Sequence, residues 1–366
     1  MLTAFLISVG VLCAINTLLA LLMVLAEATI GNYGSVRVTL NGRRELTVDG
    51  GKPLLAALKE HNVFIPSACG GRGSCGLCKL TVENGGAPLS TELPWLSPEE
   101  QAAGVRLSCQ LKVKRPLRIT VPEEWLSVRQ FAARVAALRD LTYDIKEVRL
   151  QLIDPPTIDF KAGQFIQFEV PPYALSDEPV YRAYSIASDP RQRGEIELEI
   201  RYVPNGICTT YVHRHLKEGD PVAFNGPYGN FYLRESDRDI LFVAGGSGMA
   251  PIKAMLHQMA HEQNPRRTLY IFGARARRDL FLLEEMREFE RRLPRFRFVP
   301  TLSAPAPNDG WTGATGLVTD VVEREVSEVS ALEAYLCGSP LMIDACVNLL
   351  KKKGLPEERI FYDKFA

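Results

Sequence analysis

Three cysteines share one glycine-rich stretch, Cys69-Gly-Gly-Arg-Gly-Ser-Cys75-Gly-Leu-Cys78, and Cys109 follows after 30 intervening residues. Four thiolates are what a two-iron cluster requires, two per iron. The glycines let backbone N–H groups approach and donate to the sulfurs, where side chains would obstruct them. Such hydrogen bonds, with burial, tune a cluster's reduction potential. Zinc and buried structural thiols are the competing readings; structural zinc more often uses two separated Cys-x-x-Cys pairs than three cysteines on one loop. Cys13, Cys208, Cys337 and Cys346 are scattered, so the clustering reads as ligation rather than a secreted disulfide framework. A second chemical signal is the buried-strand run Asp239-Ile-Leu-Phe-Val-Ala244, followed by Gly245-Gly-Ser-Gly248-Met-Ala-Pro251 and a helical stretch from Ile252 to His261. A strand feeding a Gly-rich turn and a helix N-terminus aims backbone N–H groups at an anion, which makes a phosphate cradle.

The elements that must hold these groups follow from patterning. Val36 to Leu40 and Glu45 to Val48 alternate like a hairpin with Asn41-Gly42 at the turn. Pro53 to His61 reads as a short helix opened by Pro near its first position. Residues 123–130 (Glu123 to Gln130) form a junction. Beyond it the alternating runs Glu147 to Leu152, Phe165 to Val170, Ile196 to Tyr202 and Pro221 to Phe224 predict a small antiparallel barrel. Further strands are expected at Thr268 to Phe272, ending in Gly273-Ala-Arg275, at Arg297 to Thr301, and at Ala334 to Cys337, ending in Cys337-Gly-Ser-Pro340. Strand–helix alternation there predicts a doubly wound parallel sheet with ligands at strand C-termini. His213 and His215 read as surface residues on different faces of a helix.

No charge occurs from Leu2 to Ala26, and as a helix these residues measure about 37 Å, enough for a hydrocarbon core of about 30 Å. Ala26-Glu27-Ala28 resembles a signal-peptide cleavage site. The start, however, lacks Lys and Arg, and the apolar run exceeds the usual signal-peptide core. A retained transmembrane helix over residues 1–28 is therefore expected. The first basic residues, Arg37, Arg43 and Arg44, follow it, which directs the rest of the chain to the cytoplasm. At 366 residues, 46% apolar and 23% charged, the chain has room for several globular cores. Lys+Arg and Asp+Glu balance at 43 each, so net charge gives no reason to expect a nucleic-acid partner.

The C-x5-C-x2-C spacing departs by one residue from the plant-type ferredoxin pattern. It resembles the ferredoxin domains of oxygenase reductases and of the sodium-translocating NADH:quinone oxidoreductases. Arg182-Ala-Tyr184-Ser185 resembles the Arg-x-Tyr-Ser signature of the ferredoxin–NADP reductase superfamily. Gly206-Ile-Cys-Thr209-Thr210 is similar to its pyrophosphate-binding segment, and Gly226-Pro-Tyr-Gly229 to its domain-closing turn. The resemblance implies that FAD is held by Arg182, Tyr184, Ser185, Gly206, Thr209 and Thr210. Arg182 would pair with the diphosphate, Tyr184 cover the ring system, and Ser185 stand beside the hydride-accepting nitrogen. It implies NADH contacts at Gly245, Gly246, Gly248, Met249, Pro251, Arg275 and Gly338. Cys337 is then the thiol beside the nicotinamide, and Phe365 the aromatic that covers the flavin face. A core cysteine and a packed terminal Phe are the plain alternatives. Arg275, Arg277 and Arg278 leave a 2′-phosphate, and hence NADPH, as the competing nucleotide, while Gly273-Ala-Arg275 resembles the quinone-reductase family and implies NADH.

Taken whole, the chain resembles the F subunit of the sodium-translocating NADH:quinone oxidoreductases. The resemblance is carried by Ser67-Ala-Cys-Gly-Gly, Arg106-Leu-Ser-Cys-Gln110, Leu117 to Glu124, Gly248-Met-Ala-Pro251 and Trp311-Thr-Gly-x-Thr-Gly316. The departures are a reduced loop before Gly206 and a Tyr-Asp-Lys-Phe ending. The implied architecture is a transmembrane helix (1–28), a β-grasp [2Fe–2S] ferredoxin domain (35–122), an FAD-binding antiparallel barrel (130–233) and an NADH-binding parallel-sheet domain (236–366). The expected partners are the other subunits of a membrane complex, with quinone reached indirectly. The expected location is the bacterial inner membrane, crossed once, with the soluble domains in the cytoplasm. A tethered reductase serving an oxygenase, and a non-catalytic electron carrier or redox sensor, are the other readings; the intact Gly245–Pro251 loop and Cys337 weigh against the last. No residue suggests sodium translocation, which would require other subunits.

Overall fold

The computed structural model describes residues 2–29 and 33–365. Met1 and Ala366, the outer ends of the expected first and last segments, lie outside the described residues. The chain divides into two compact units. One runs to Ile65 and includes Gly71–Ser127; the other joins Pro66–Gly70 to Val128 and all that follows.

In the first unit, helix α1 (Leu2–Thr29) is long and apolar enough to cross a membrane. Its span Phe5–Leu25 has a mean hydropathy of 2.4, and every side chain from Phe5 to Leu25 is exposed. Of the span's polar residues Ser8, Asn16 and Thr17, Thr17 donates its hydroxyl to the Cys13 carbonyl at 2.8 Å, which satisfies it within the helix. Next come β1 (Ser35–Leu40), β2 (Arg44–Asp49), α2 (Leu54–Glu60), β3 (Lys79–Glu83), α3 (Pro98–Ala102), β4 (Val105–Leu107), β5 (Leu117–Thr120) and α4 (Glu123–Leu126). The sheet order is β2-β1-β5-β3-β4, with β1 and β5 parallel and the other neighbours antiparallel. Alternation in β1 sends Val36, Val38 and Leu40 into a core shared with Leu54, Ala57 and Leu58 of α2. Asn41 and Gly42 take φ of 49° and 66°, as the tight hairpin demands. Pro53 stands one place before the helix, as its cap, rather than inside it.

The second unit opens with β6 (Arg129–Asp140), β7 (Ile145–Asp154), β8 (Phe165–Val170), β9 (Val180–Ser185), β10 (Glu195–Arg201), α5 (Ile207–Arg214) and β11 (Pro221–Tyr228). These strands form an antiparallel sheet ordered β10-β7-β6-β11-β8-β9. A single bridge between Ile186 and Leu198 joins its two edges and curls the sheet toward a barrel. The expected junction shrinks accordingly, since α4 and β6 occupy most of it and leave Ser127 and Val128 between them. β6 escapes a pattern reading because its inward residues include Ala133 between Phe131 and Val135, which leaves the apolar alternation weak.

The remainder comprises β12 (Asp239–Gly245), α6 (Met249–Glu262), β13 (Thr268–Ala274), α7 (Leu283–Arg292), β14 (Phe296–Leu302), β15 (Ala314–Thr315), α8 (Val318–Glu325), β16 (Leu332–Gly338), α9 (Pro340–Lys352) and β17 (Ile360–Lys364). All six strands pair in parallel in the order β15-β14-β13-β12-β16-β17. Both faces are covered. Ile240, Phe242, Tyr335 and Cys337 enter one core together with Ile145 and Phe231 of the barrel, while Leu241, Val243 and Leu336 enter another under α8 and α9.

One polar contact is buried in the first unit. The Arg106 guanidinium pairs with Glu92 at 2.5 Å, and the two side chains are 3% and 0% exposed. Glu92 also accepts from the N–H groups of Leu89 and Leu107, each at 2.8 Å. Burial works against its charge, but Arg106 and those N–H groups outweigh it and hold the carboxyl below the usual range. Removing one partner of such a pair costs about 3–5 kcal/mol. Arg106→Met should therefore lower the urea midpoint sharply, and the double variant Arg106→Met/Glu92→Met should recover much of the loss. The pair's contribution is complete above the ordinary carboxylate range and is lost as pH falls through the depressed value of Glu92.

Candidate functional site

The cysteine loop lacks regular structure from Ser67 to Cys78, and Gly70, Gly71, Gly73 and Gly76 all have positive φ. Gly76 is required twice over, because φ is 67° and a Cβ there would stand 2.7 Å from the Trp95 ring. The fold brings Cys78 and Cys109 together, 1% and 6% exposed, with their thiols hydrogen-bonded. That contact, then burial, raises Cys78 far above the usual thiol range. Cys69 and Cys75 are partly exposed on the loop, with Ser67 Oγ 3.9 Å from Cys69 Sγ. Gln110 Nε2 donates toward Cys109 Sγ at 3.7 Å. Ser108 Oγ, buried with no hydrogen-bond partner of normal geometry, lies beside Cys78 and offers a donor to its sulfur. Among the described residues no three His, Cys, Asp or Glu side chains converge on one point. Two-iron chemistry asks for two pairs of thiolates instead. With Cys78 and Cys109 as one pair, Cys69 and Cys75 remain for the other, and the donor set fits such a cluster. Ser108 and Trp95 carry no sequence signal, since each acts through contacts the fold creates.

On the barrel, Arg182, Tyr184 and Ser185 all stand on β9, opposite Phe168, Ile166 and Phe165. Tyr184 presents its ring edge to Phe168 at 6.3 Å. Its hydroxyl is buried without a hydrogen-bond partner among the described residues, and burial pushes the phenol well up. An orphaned hydroxyl beside a half-exposed arginine fits a bound group carrying acceptor oxygens, as a flavin dinucleotide does. Arg182 donates from Nη1 to the Tyr181 carbonyl at 2.7 Å. At the start of α5, Thr209 lies against the loop that precedes the helix. Thr209 Oγ1 accepts from the Val203 N–H at 3.1 Å and lies within reach of the Val203 and Gly206 carbonyls, so it closes the loop. Thr210 gives its N–H to the Gly206 carbonyl at 2.8 Å. His213 is half-buried rather than on the surface, with its ring against the Ile200 carbonyl at 2.9 Å, and burial lowers its pKa.

On the parallel sheet, β12 and β16 end side by side, with Ala244 opposite Cys337. A Cβ on Gly248 would meet the Cys337 carbonyl at 2.3 Å, so the turn after β12 tolerates no side chain there. Gly245 and Gly246 complete the turn, and Gly338 follows Cys337 at φ 142°. Met249 and Pro251 lie inside, and Tyr270 donates its hydroxyl to Met249 sulfur at 3.2 Å, so these two shape the turn from below. Cys337 is fully buried, and burial followed by the nearby Asp363 and Glu199 raises its thiol well above the usual range. β17, which no sequence pattern announces because it is short and half-polar, pairs Cys337 with Asp363. The Phe365 N–H donates to the Gly338 carbonyl at 2.9 Å, and its ring packs on the adjacent core. Cys337, Gly338, Asp363 and Phe365 are therefore gathered at one place. Arg275 is exposed at the end of β13, Arg277 donates to the Asp309 carbonyl, and Arg278 lies over the Tyr143 ring at 4.9 Å.

Burial raises Asp363 from 3.8 to about 6. The folded protein therefore loses stability as pH rises from the ordinary carboxylate value through about 6. Asp363→Asn should melt higher than the parent at mildly alkaline pH and at the same temperature near pH 4, as differential scanning calorimetry would record.

Three family profiles match in the order of the three sheets. They are a 2Fe-2S iron-sulfur cluster binding domain at residues 38–114, an oxidoreductase FAD-binding domain at 132–232 and an oxidoreductase NAD-binding domain at 242–348. Among solved structures, a cytochrome P450 reductase from Amycolatopsis is 30% identical with a TM-score of 0.72, covering 90% of this chain and 98% of that one. The ferredoxin reductase in carbazole 1,9a-dioxygenase is 27% identical with a TM-score of 0.70, covering 91% and 98%. The F subunit of the Na(+)-translocating NADH-quinone reductase of Neisseria meningitidis serogroup C is 34% identical over 389 residues, covering 95% of this chain and 96% of its own. Its counterpart in Methylococcus capsulatus is 35% identical over 395 residues, covering 96% and 97%. With about a third of its residues identical over nearly the full length of these relatives, and the three profiles following an anchor-length helix along it, the chain belongs to the F subunit family of Na(+)-translocating NADH-quinone reductases.

Proposed function

We propose that the chain is the electron-input subunit of a membrane NADH:quinone oxidoreductase, taking hydride from NADH and releasing electrons singly to a membrane partner. The observation that carries this reading is the gathering of Cys337, Asp363 and Phe365 at the end of β16, beside the turn that Gly248 closes. FAD held there would supply the conversion between a two-electron hydride and single electrons, which a one-electron [2Fe–2S] cluster would require. Arg182 binds the FAD diphosphate by charge, and the Tyr184 ring excludes water from one face. The Ile207 and Cys208 N–H groups at the start of α5 supply phosphate donors, with Gly206, Thr209 and Thr210 shaping that turn. Gly245, Gly246 and Gly248 turn N–H groups to the NADH phosphates. Ser185 and Cys337 flank the hydride path, and Phe365 covers the face that nicotinamide must reach. Cys69, Cys75, Cys78 and Cys109 hold the cluster.

The Gly273-Ala-Arg275 stretch and the NADH-quinone reductase relatives support NADH over NADPH. The anchor helix and the arginines after it support a single crossing of the bacterial inner membrane with the soluble parts in the cytoplasm, among the other subunits of the complex. A second reading, a tethered reductase serving an oxygenase, is favoured by the likeness to the P450 and carbazole dioxygenase reductases over about nine-tenths of the chain. Gentle solubilisation separates the two. Polytopic companions with NADH-driven quinone reduction support the first, and an oxygenase or a lone chain supports the second.

Purified full-length protein should bleach in the flavin region on addition of NADH, more readily than with NADPH; no bleaching would sink the reductase reading. Cys75→Ala should lose the cluster's visible absorbance yet keep NADH-to-dye turnover within about twofold, because a two-electron acceptor bypasses the one-electron exit.

A further inference from the structure

β10 divides its side chains between two environments. Ile196, Leu198 and Ile200 enter the barrel core, while Glu197, Glu199 and Arg201 alternate onto the other face. Ile186 bridges Leu198, and the Ala187 N–H donates to the Glu197 carbonyl at 2.7 Å. That register sets Ser185 opposite Glu199 on this same face, where opposed Cβ atoms stand roughly 5 Å apart. Glu199 is thus the cross-strand neighbour of the serine on the hydride path.

Glu199 is 3% exposed, and both of its carboxyl oxygens are buried with no hydrogen-bond partner among the described residues. The groups that face it are Lys253 of α6, Glu197 of its own strand, Glu285 of α7, Glu147 of β7, Tyr270 of β13 and Cys337 of β16. Lys253 is the cation among them, and it is already shared: its Nζ pairs with Glu197 and, at 3.4 Å, with Glu285. Glu147 is taken by Arg139 at 2.5 Å and Arg149 at 3.1 Å. An ionised Glu199 would be a further buried anion against one shared lysine, so the carboxyl stays neutral, and burial raises its pKa accordingly. Glu285 and His257, 3.5 Å apart, carry the cluster outward, with side chains 30% and 20% exposed.

We propose that Glu199 is a proton relay for the hydride site: once a side-chain rotation closes the gap to Ser185, one carboxyl oxygen takes the proton that Ser185 Oγ gives up as it receives the one left by the hydride, and the other oxygen releases its own toward the Glu197–Lys253–Glu285 cluster and solvent. The inference rests on the NADH-oxidising reading of the site. NADH becomes NAD+ when its C4–H bond breaks and two electrons leave with the hydrogen as hydride. Once both electrons have gone singly to a one-electron acceptor, one proton remains in a water-excluded place. A neutral carboxyl with two free oxygens accepts it and passes on another, ending unchanged.

The test uses full-length holoprotein at mildly alkaline pH, where Asp363, at about 6, is ionised. Infrared spectra should show the C=O stretch of a buried protonated carboxyl, sensitive to deuterium exchange, and Glu199→Gln should remove it. In stopped flow, Glu199→Gln should slow re-oxidation of the NADH-reduced protein by ferricyanide about 100-fold, the lower end of what positioned proton transfer contributes. The loss should fall on re-oxidation more than on bleaching by NADH, and Glu199→Asp should restore part of it. A parent protein without the band, a band that survives in Glu199→Gln, or re-oxidation of that variant at the parent rate overturns the relay. Failure of the parent to bleach with NADH overturns the reductase reading instead, which the infrared band does not depend on.

Discussion

The ends of β12 and β16 lie so close that the turn between sheet and α6 has no room for a side chain at Gly248. Much of the nucleotide side of the protein follows from that approach. Cys337 is buried beside this turn, and burial, then Asp363 and Glu199, raises its thiol above the usual range. Because β16 must end there, β17 pairs alongside it and delivers Asp363 and Phe365 to the same place. α6 starts from this turn and ties the parallel sheet to the barrel through Lys253 and Glu197 near its start and His261 and Asp189 near its end. One steric exclusion thus gathers Gly248, Cys337, Asp363 and Phe365 from distant parts of the chain.

Electrostatics inside the protein is arranged so that few charges are buried without a partner. Arg106 and Glu92 form a buried pair whose spare acceptor capacity is taken by backbone N–H groups. Such a pair is worth little beyond an apolar substitute of the same shape, yet it is costly to break. Its effect is to hold the Gly85–Glu92 loop against β4, the strand that leads into Cys109. Glu333 meets Arg266 at 2.8 Å and Arg238 at 3.4 Å in the same manner under the parallel sheet. Glu199, buried with both carboxyl oxygens unpartnered among the described residues, stands apart from this pattern.

α1 obeys a different solvent. A run of exposed Leu, Ile, Val and Phe is a liability in water and a requirement in lipid, where the helix satisfies its own backbone. The anchor asks nothing of the globular units except attachment, which is why its sequence shows no amphipathic face.

The sequence by itself determined what depends on local order. The cysteine spacing, the strand–glycine–helix turn and the uncharged N-terminal run are local, and their meaning lies in composition and period, while the Arg-x-Tyr-Ser string carries meaning through its resemblance to a known signature. The order of the three globular segments followed, and three sheets in that order are present. Tertiary structure decided whatever depends on register between distant strands. That Cys337 faces Asp363, that Ser185 faces Glu199, and that Ser108 lies beside Cys78 are consequences of pairing, which no local pattern encodes. The Thr209 hydroxyl closes its own loop instead of facing outward, because that loop brings Val203 back within 3.1 Å. β6 and β17 went unread for a related reason. β6 dilutes its few large apolar residues with alanines and charges, β17 is short and half-polar, and both are strands because neighbouring strands supply the hydrogen bonds.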